Sequence, residues 1–270
     1  MNNTFDIQRF GLLLKRQWLE FGKIYLVSLI VLFGIFLCFY GVAYYKFITY
    51  NEIRPGNYGY GVLNFRVPLF AVSGLIFGTL IASSYFSHLG QKSRAIIDLL
   101  TPASIFEKFL GGVFFTTLIA TISFLAIFYV TDLLFVMKLR GVIEDVLKIK
   151  IVSSTNLEYF FVQNNPNKFV PLYIVPFFIT SIFLLGSIYF NKFHYIKTAI
   201  VVMIFSGIWT AIVAKSGELL FEGRIPIDRD HSKHIFSDRD SGELWLTVLG
   251  IALTLIFWSI TYIRLKEKEV

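Results

Sequence analysis

The stretch Ile24 to Tyr45, IYLVSLIVLFGIFLCFYGVAYY, contains no charged residue and is framed by Lys23 and Lys46. As an α-helix rising ~1.5 Å per residue it would be about 33 Å long, enough to cross the roughly 30 Å hydrocarbon layer of a bilayer. The same pattern recurs outward from it, at Val67 to Ser87, Phe109 to Met137, Phe169 to Phe190, Thr198 to Ala214 and Leu244 to Ile263. Charge bounds these runs too: Lys197 and Lys215 frame the fifth, which is the shortest, and Glu243 and Arg264 frame the sixth. Charged side chains belong at or beyond the membrane interface, so they mark the loops.

Composition agrees with this reading. Of the 270 residues 56% are hydrophobic and 18% aromatic, and the mean hydropathy is +0.67, more than a water-facing surface tolerates. The 16% of charged residues are bunched between the apolar runs instead of spread along them. The expectation is an all-α, polytopic membrane protein: one transmembrane domain, 1–270, with about six spans (24–45, 67–87, 109–137, 169–190, 198–214, 244–263) and an amino-terminal interfacial helix over 1–23. The first apolar run is too long for a signal peptide and no small-residue cleavage site follows it, so it is expected to be retained. Its single cysteine, Cys38, lies inside that run, which excludes a disulfide framework or a cysteine metal site within one chain.

A net charge of +7 and a pI near 9.3 do not require nucleic acid, because polytopic proteins carry excess Lys and Arg where loops meet anionic lipid. No polar domain exists in which a basic groove for nucleic acid could form. Six spans put segments 1–23, 88–108, 191–197 and 264–270 on one face. That face holds 12 of the 25 Lys and Arg, so the raw count does not orient the chain. Those basic residues are more densely set, and the opposite loops hold 11 acids against 6, so both termini are expected in the cytoplasm.

Before the first span, Phe10, Leu13, Leu14, Trp18 and Phe21 recur at helical spacing, while Arg9, Arg16 and Lys23 repeat every seven residues. The pattern fits a helix lying at the interface, with its basic side toward anionic membrane lipid; it also fits a plain topogenic flank. In the third run Asp132 lies near the far end, where interfacial placement competes with an ion-binding carboxylate. Gly74 and Gly78 form a G-x-x-x-G in the second run, a smooth strip for helix packing or for a dimer seam.

The most informative segment is His88 to Lys108, HLGQKSRAIIDLLTPASIFEK, which mixes Lys92, Arg94, Asp98, Glu107 and Lys108 with apolar residues such as Ile97, Leu100 and Phe106. Pro102 disfavours α geometry at Thr101, and Ser104 with Glu107 three residues on makes a capping box, so one helix should stop and another start. Such a break with apolar faces suits an element on which a soluble partner pushes; an interfacial turn packed only on lipid is the alternative.

The run LLTPASIFEKFL, with the upstream SSYFSHLGQKSRAIIDLL, resembles the cytoplasmic loop of bacterial ABC-transporter permeases of the type-2 exporter family, most of all those common in Bacteroidetes. The opening RFGLLLKRQWLEFGK is similar to that family's amino-terminal interfacial helix, and the resemblance covers the whole chain through its six-span plan. The resemblance implies that Arg94, Asp98, Pro102, Ala103, Ser104, Glu107 and Lys108 belong to a coupling loop contacting a separate ABC ATPase subunit. It also implies a second permease copy or a related permease chain, and no cofactor in this chain, with ATP and Mg held by the partner.

Motifs that would carry chemistry are missing from the sequence. No G-x-x-x-x-G-K-[ST] occurs, since Gly90-Gln91-Lys92-Ser93 lacks the preceding glycine loop that would cradle phosphates. Neither H-E-x-x-H nor G-x-S-x-G nor paired mid-span aspartates occur, so no enzyme activity is expected. In 215–243 the residues Asp228, Asp230, His231, His234, Asp238 and Asp240 could bind a divalent cation, but the interleaved Arg224, Arg229, Lys233 and Arg239 favour a solvated charge run, and no metal site is expected. The leading expectation is the permease subunit of an ABC exporter. The others are a membrane scaffold or assembly factor, and an ion-coupled carrier, which needs ionisable or broken-helix sites near the midplane. The cargo and the role of 138–168 are not legible.

Overall fold

The structure, a computed structural model, describes residues 5–49, 53–54, 57–58, 63–90, 101–147, 160–161, 173–221 and 239–269. The protein is all-α among these residues save a minimal antiparallel pairing of Ile53–Arg54 (β1) with Asn57–Tyr58 (β2). Its helices are α1 (Ile7–Thr49), α2 (Arg66–Tyr85) with a 3₁₀ extension Phe86–Gly90, α3 (Ile105–Val113), α4 (Ala120–Leu147), α5 (Val175–Tyr189), α6 (His194–Phe221) and α7 (Arg239–Glu269). A π-helical stretch, Phe114–Ile119, joins α3 to α4 without a break in the helical run. Five helices are long and apolar enough to cross a membrane, and α5 is a shorter apolar sixth. The chain is a multi-pass membrane protein.

Boundaries depart from the sequence expectation in ways that have local causes. The amino-terminal segment is not a separate elbow: α1 is one helix of 43 residues, about 65 Å at ~1.5 Å per residue, roughly twice a bilayer's hydrocarbon thickness. Nothing near Lys23 can break it, since a lone glycine inside a helix costs only about 1 kcal/mol relative to alanine. Gly22 is covered by the Trp18 indole of the same helix. The third run starts earlier and ends later than 109–137, being helical from Ile105 to Leu147, so the first part of the 138–168 loop is helix. The fifth and sixth runs lengthen likewise, to His194–Phe221 and Arg239–Glu269. The fourth shrinks to the 15 residues of α5, about 22 Å. Pro176 sits in its first turn; proline is tolerated there but lacks the N–H and crowds the carbonyl four residues back, in keeping with an α-helix that begins at Val175 and not at Tyr173 or Ile174.

The described residues divide into two compact units. The first comprises Met1–Phe5, Ala82–Gly112 and Phe169–Val270; the second, Asp6–Ile81 and Val113–Lys168. In the second unit an aromatic core fills the space between α1, α2 and α4. Phe36 meets the rings of Phe124 and Phe128 at 6.0 and 5.4 Å between centroids, and Phe70 lies 4.9 Å from Phe128. Gly74 is what lets α2 close on α4: a Cβ there would stand 3.0 Å from the Phe124 ring. That glycine is therefore occupied by packing within the chain. The apolar stripe of the amino-terminal segment is partly used inside this unit as well, with Leu13 buried and the Trp18 indole stacked 6.3 Å from Phe115, while Ile7, Leu12 and Leu19 point outward.

In the first unit α5 is the central helix, with Thr180, Ser181, Phe183, Leu184 and Ile188 buried. It packs on α6, where Gly186 receives the Thr198 side chain and Phe183 meets Tyr195 at 5.2 Å. It runs parallel to α7, since Ile174 lies against Gly250, Phe178 against Phe257 and Tyr189 against Arg264.

Candidate functional site

The unit containing α5 gathers one set of ends together. Phe5 meets Phe106 at 6.2 Å, Phe106 and Phe109 meet Tyr262 near the end of α7 at 6.3 and 5.8 Å, and the Lys268 ammonium lies 3.4 Å from the Asn191 side-chain oxygen. Phe5, the start of α3, the α5–α6 turn and the end of α7 therefore share one end of this unit.

At that end the expected helix restart is present in atomic detail. The Ser104 amide donates to Glu107 Oε2 at 2.8 Å, and the Glu107 amide donates to Ser104 Oγ at 3.2 Å, a reciprocal capping box that satisfies donors which the first helical turn leaves without intrahelical partners. The Lys108 amide donates to the Ser104 carbonyl at 3.1 Å, the first turn of α3, and the Ala103 amide reaches back to the Thr101 carbonyl. Pro102, ahead of the cap, is exposed.

The structure redistributes the roles of the loop residues. Glu107 and Lys108 are not surface charges: they are 0% and 3% exposed. Ser104 is buried, whereas Pro102 is exposed, Ala103 is half-buried and Phe106 is 46% exposed. The exposed surface of this element is therefore made by Pro102 and Phe106, while Glu107 closes the cap beneath it. Arg94 and Asp98 lie outside the described residues. The restart is pressed against the end of α2, since a Cβ at Gly112 would come within 2.7 Å of the Phe86 ring. Gly78, like Gly74, lies half-buried in α2.

A second constellation, in the other unit, was only half visible in the sequence. Asp132 is 1% exposed, buried among side chains of its own chain. Its Oδ1 accepts from the Tyr40 hydroxyl at 2.8 Å and from Arg66 Nη1 at 3.1 Å, and its Oδ2 accepts from the Phe160 amide at 2.9 Å. Arg66, 4% exposed, also donates from Nε to the Leu63 carbonyl at 3.2 Å. Helices α1, α2 and α4 and the Phe160–Phe161 turn are thereby tied at one point. Those two rings pack on Phe70 and Phe128, closing the aromatic core at that end. Neither Arg66 nor Tyr40 stood out in the sequence. The available signal was that a lone acid inside an apolar run needs a cation, and Arg66 opens the neighbouring run.

Of Asp228, Asp230, His231, His234, Asp238 and Asp240, all but Asp240 lie outside the described residues. Among the described residues no three His, Cys, Asp or Glu side chains come together as metal ligands do. Comparison of the chain with protein-family models, with curated proteins and with solved structures finds no match.

Proposed function

We propose that this multi-pass chain is the membrane-spanning permease subunit of a bacterial ABC exporter, driven by a separate ATP-hydrolysing subunit that binds ATP and Mg. In this reading it lies in the inner membrane with both termini in the cytoplasm, and works beside a second permease copy or a related chain. The observation that carries the reading is the capped restart after Pro102, with Pro102 and Phe106 facing outward from a rigid first turn of α3. A helix end fixed by a buried capping box transmits a push along its axis, whereas a mobile loop absorbs it. The run of helix from Ile105 to Leu147 gives that push a path through the bilayer's thickness.

The saturation of Asp132 weighs against the ion-coupled carrier. Tyr40, Arg66 and the Phe160 amide already occupy both of its oxygens, so it is not offered to a coupling cation.

Co-purification tests the proposal. The chain, extracted from its native membrane, should bring down an ATPase carrying a Walker sequence, and Pro102→Glu combined with Phe106→Glu should release it, because those side chains are accessible. Recovery without an ATPase, or an ATPase that stays bound to the double variant, overturns the coupling role and favours a scaffold.

A further inference from the structure

The α5–α6 turn contains a strained residue. Phe193 has φ of 54°, the left-handed region that glycine or asparagine enters readily and an aromatic residue rarely does. Its ring is not held there by burial, for Phe193 is 70% exposed. The turn itself is otherwise orderly: the Phe190 amide donates to the Gly186 carbonyl at 3.1 Å, and the Lys197 amide donates to the Phe193 carbonyl at 3.0 Å, opening α6. Backbone strain with an exposed aromatic side chain points to something outside the chain that the ring meets.

The surroundings of the turn are basic. Lys192 and Lys197 are exposed on it, and Arg264, Lys266 and Lys268 are exposed on the last turns of α7. Their contacts within the chain are mostly uncharged: Lys197 lies 5.7 Å above the Phe190 ring, Arg264 lies 5.2 Å above Tyr189, and Lys268 meets the Asn191 amide oxygen. On the last turns of α7 the exposed carboxylate of Glu267 pairs with Arg264 at 2.5 Å, and Glu107 is buried in its cap. The positive charge is thus left facing outward beside an exposed aromatic, at the ends of the apolar helices α5, α6 and α7.

We propose that the α5–α6 turn and the end of α7 form a binding surface for the headgroup phosphates of anionic phospholipids, with Phe193 inserted below the headgroups among the acyl chains. Aromatic rings settle at this depth, and lysines next to a bilayer end attract anionic headgroups. This surface does not depend on whether an ATPase drives the chain.

The experiment is a lipid titration of the full-length detergent-solubilised chain, read by native mass spectrometry and thermal unfolding, with phosphatidylglycerol, phosphatidylcholine and inorganic phosphate as probes. Phosphatidylglycerol is expected to bind and to raise the melting temperature well above the effect of phosphatidylcholine or phosphate. Each of Lys192→Gln, Lys197→Gln and Lys268→Gln should weaken phosphatidylglycerol binding about fivefold. Phe193→Gly separates lipid contact from folding, because glycine relieves the backbone: the lipid-free melting temperature should hold or rise while the phosphatidylglycerol effect falls. Equal response to the two lipids, an equal response to phosphate alone, or unaltered binding in the lysine variants would overturn the proposal. A lower lipid-free melting temperature in Phe193→Gly would overturn the insertion of its ring, by showing that the ring is held within the chain. If an acidic protein partner is the true occupant, phosphatidylglycerol shows no preference over phosphatidylcholine, and the lipid surface is refuted.

Discussion

Asp132 shows how a single side chain is decided by what reaches it. Left alone inside an apolar span, a carboxylate would be neutral or would seek water. Here hydrogen bonds from three other segments reach it, and the ion pair with Arg66 is buried on both sides. Breaking a buried pair leaves one uncompensated charge, which costs about 3 kcal/mol or more, whereas replacing both partners by apolar groups of similar size is often close to neutral. Asp132→Asn and Arg66→Met are therefore each expected to lower stability by about that amount in unfolding titrations, and Asp132→Leu with Arg66→Met to recover most of it. A double variant that loses the sum of the two singles would show that the pair is not a coupled unit.

Among the elements, the start of α3 and the start of α1 teach opposite lessons. The restart at Ile105 was legible because every interaction that makes it is within three or four residues: Ser104 and Glu107 bond to each other's amides, while the expected helix stop before Pro102 falls on 91–100, outside the described residues. Ser104→Ala is expected to cost about 1 kcal/mol and to speed hydrogen exchange at the amides of Phe106 to Lys108; Glu107→Gln, which keeps the acceptor, should protect them far better than Glu107→Ala. Equal exchange in all three would mean that packing, not the cap, holds the turn. The continuity of α1 was less legible. A change from mixed to purely apolar composition at Lys23 looks like an element boundary, but helices end where a cap, a proline or a turn residue ends them, not where polarity changes. Likewise α5 falls short of its apolar run because Pro176 limits its first turn, while the apolar composition runs on past it.

For the whole molecule, the sidedness of the ends is the decisive property. The unit that holds the amino terminus, the 101–109 restart, the α5–α6 turn and the end of α7 brings these together at one end. Helix α2 carries the chain from Asn64, before it, to Phe86 beyond it. In a Cys38→Ser background, single cysteines at Pro102, Asn191 and Glu267 should react with an impermeant maleimide from the same side of sealed vesicles, and one at Asn64 from the other. If Asn191 labels with Asn64, α5 does not complete a crossing, and the placement of both termini on one face is wrong.

What the sequence determined by itself was which segments are apolar enough for a bilayer and the capped restart of helix at Ile105. Both follow from composition and from contacts a few residues apart, which a linear reading contains. The tertiary structure alone decided which charges are surface and which are internal. Glu107 and Lys108 read as docking charges and are buried at the start of α3; Asp132 read as a lone acid near the end of a span and is tied to three other segments; Gly74 read as a strip for helix packing or a dimer seam, and Phe124 of the same chain fills it. Each depends on side chains brought together by folding, often from dozens of residues away, as with Arg66 and Asp132. The free energy of a charge or a gap is set by those neighbours rather than by its place in the chain.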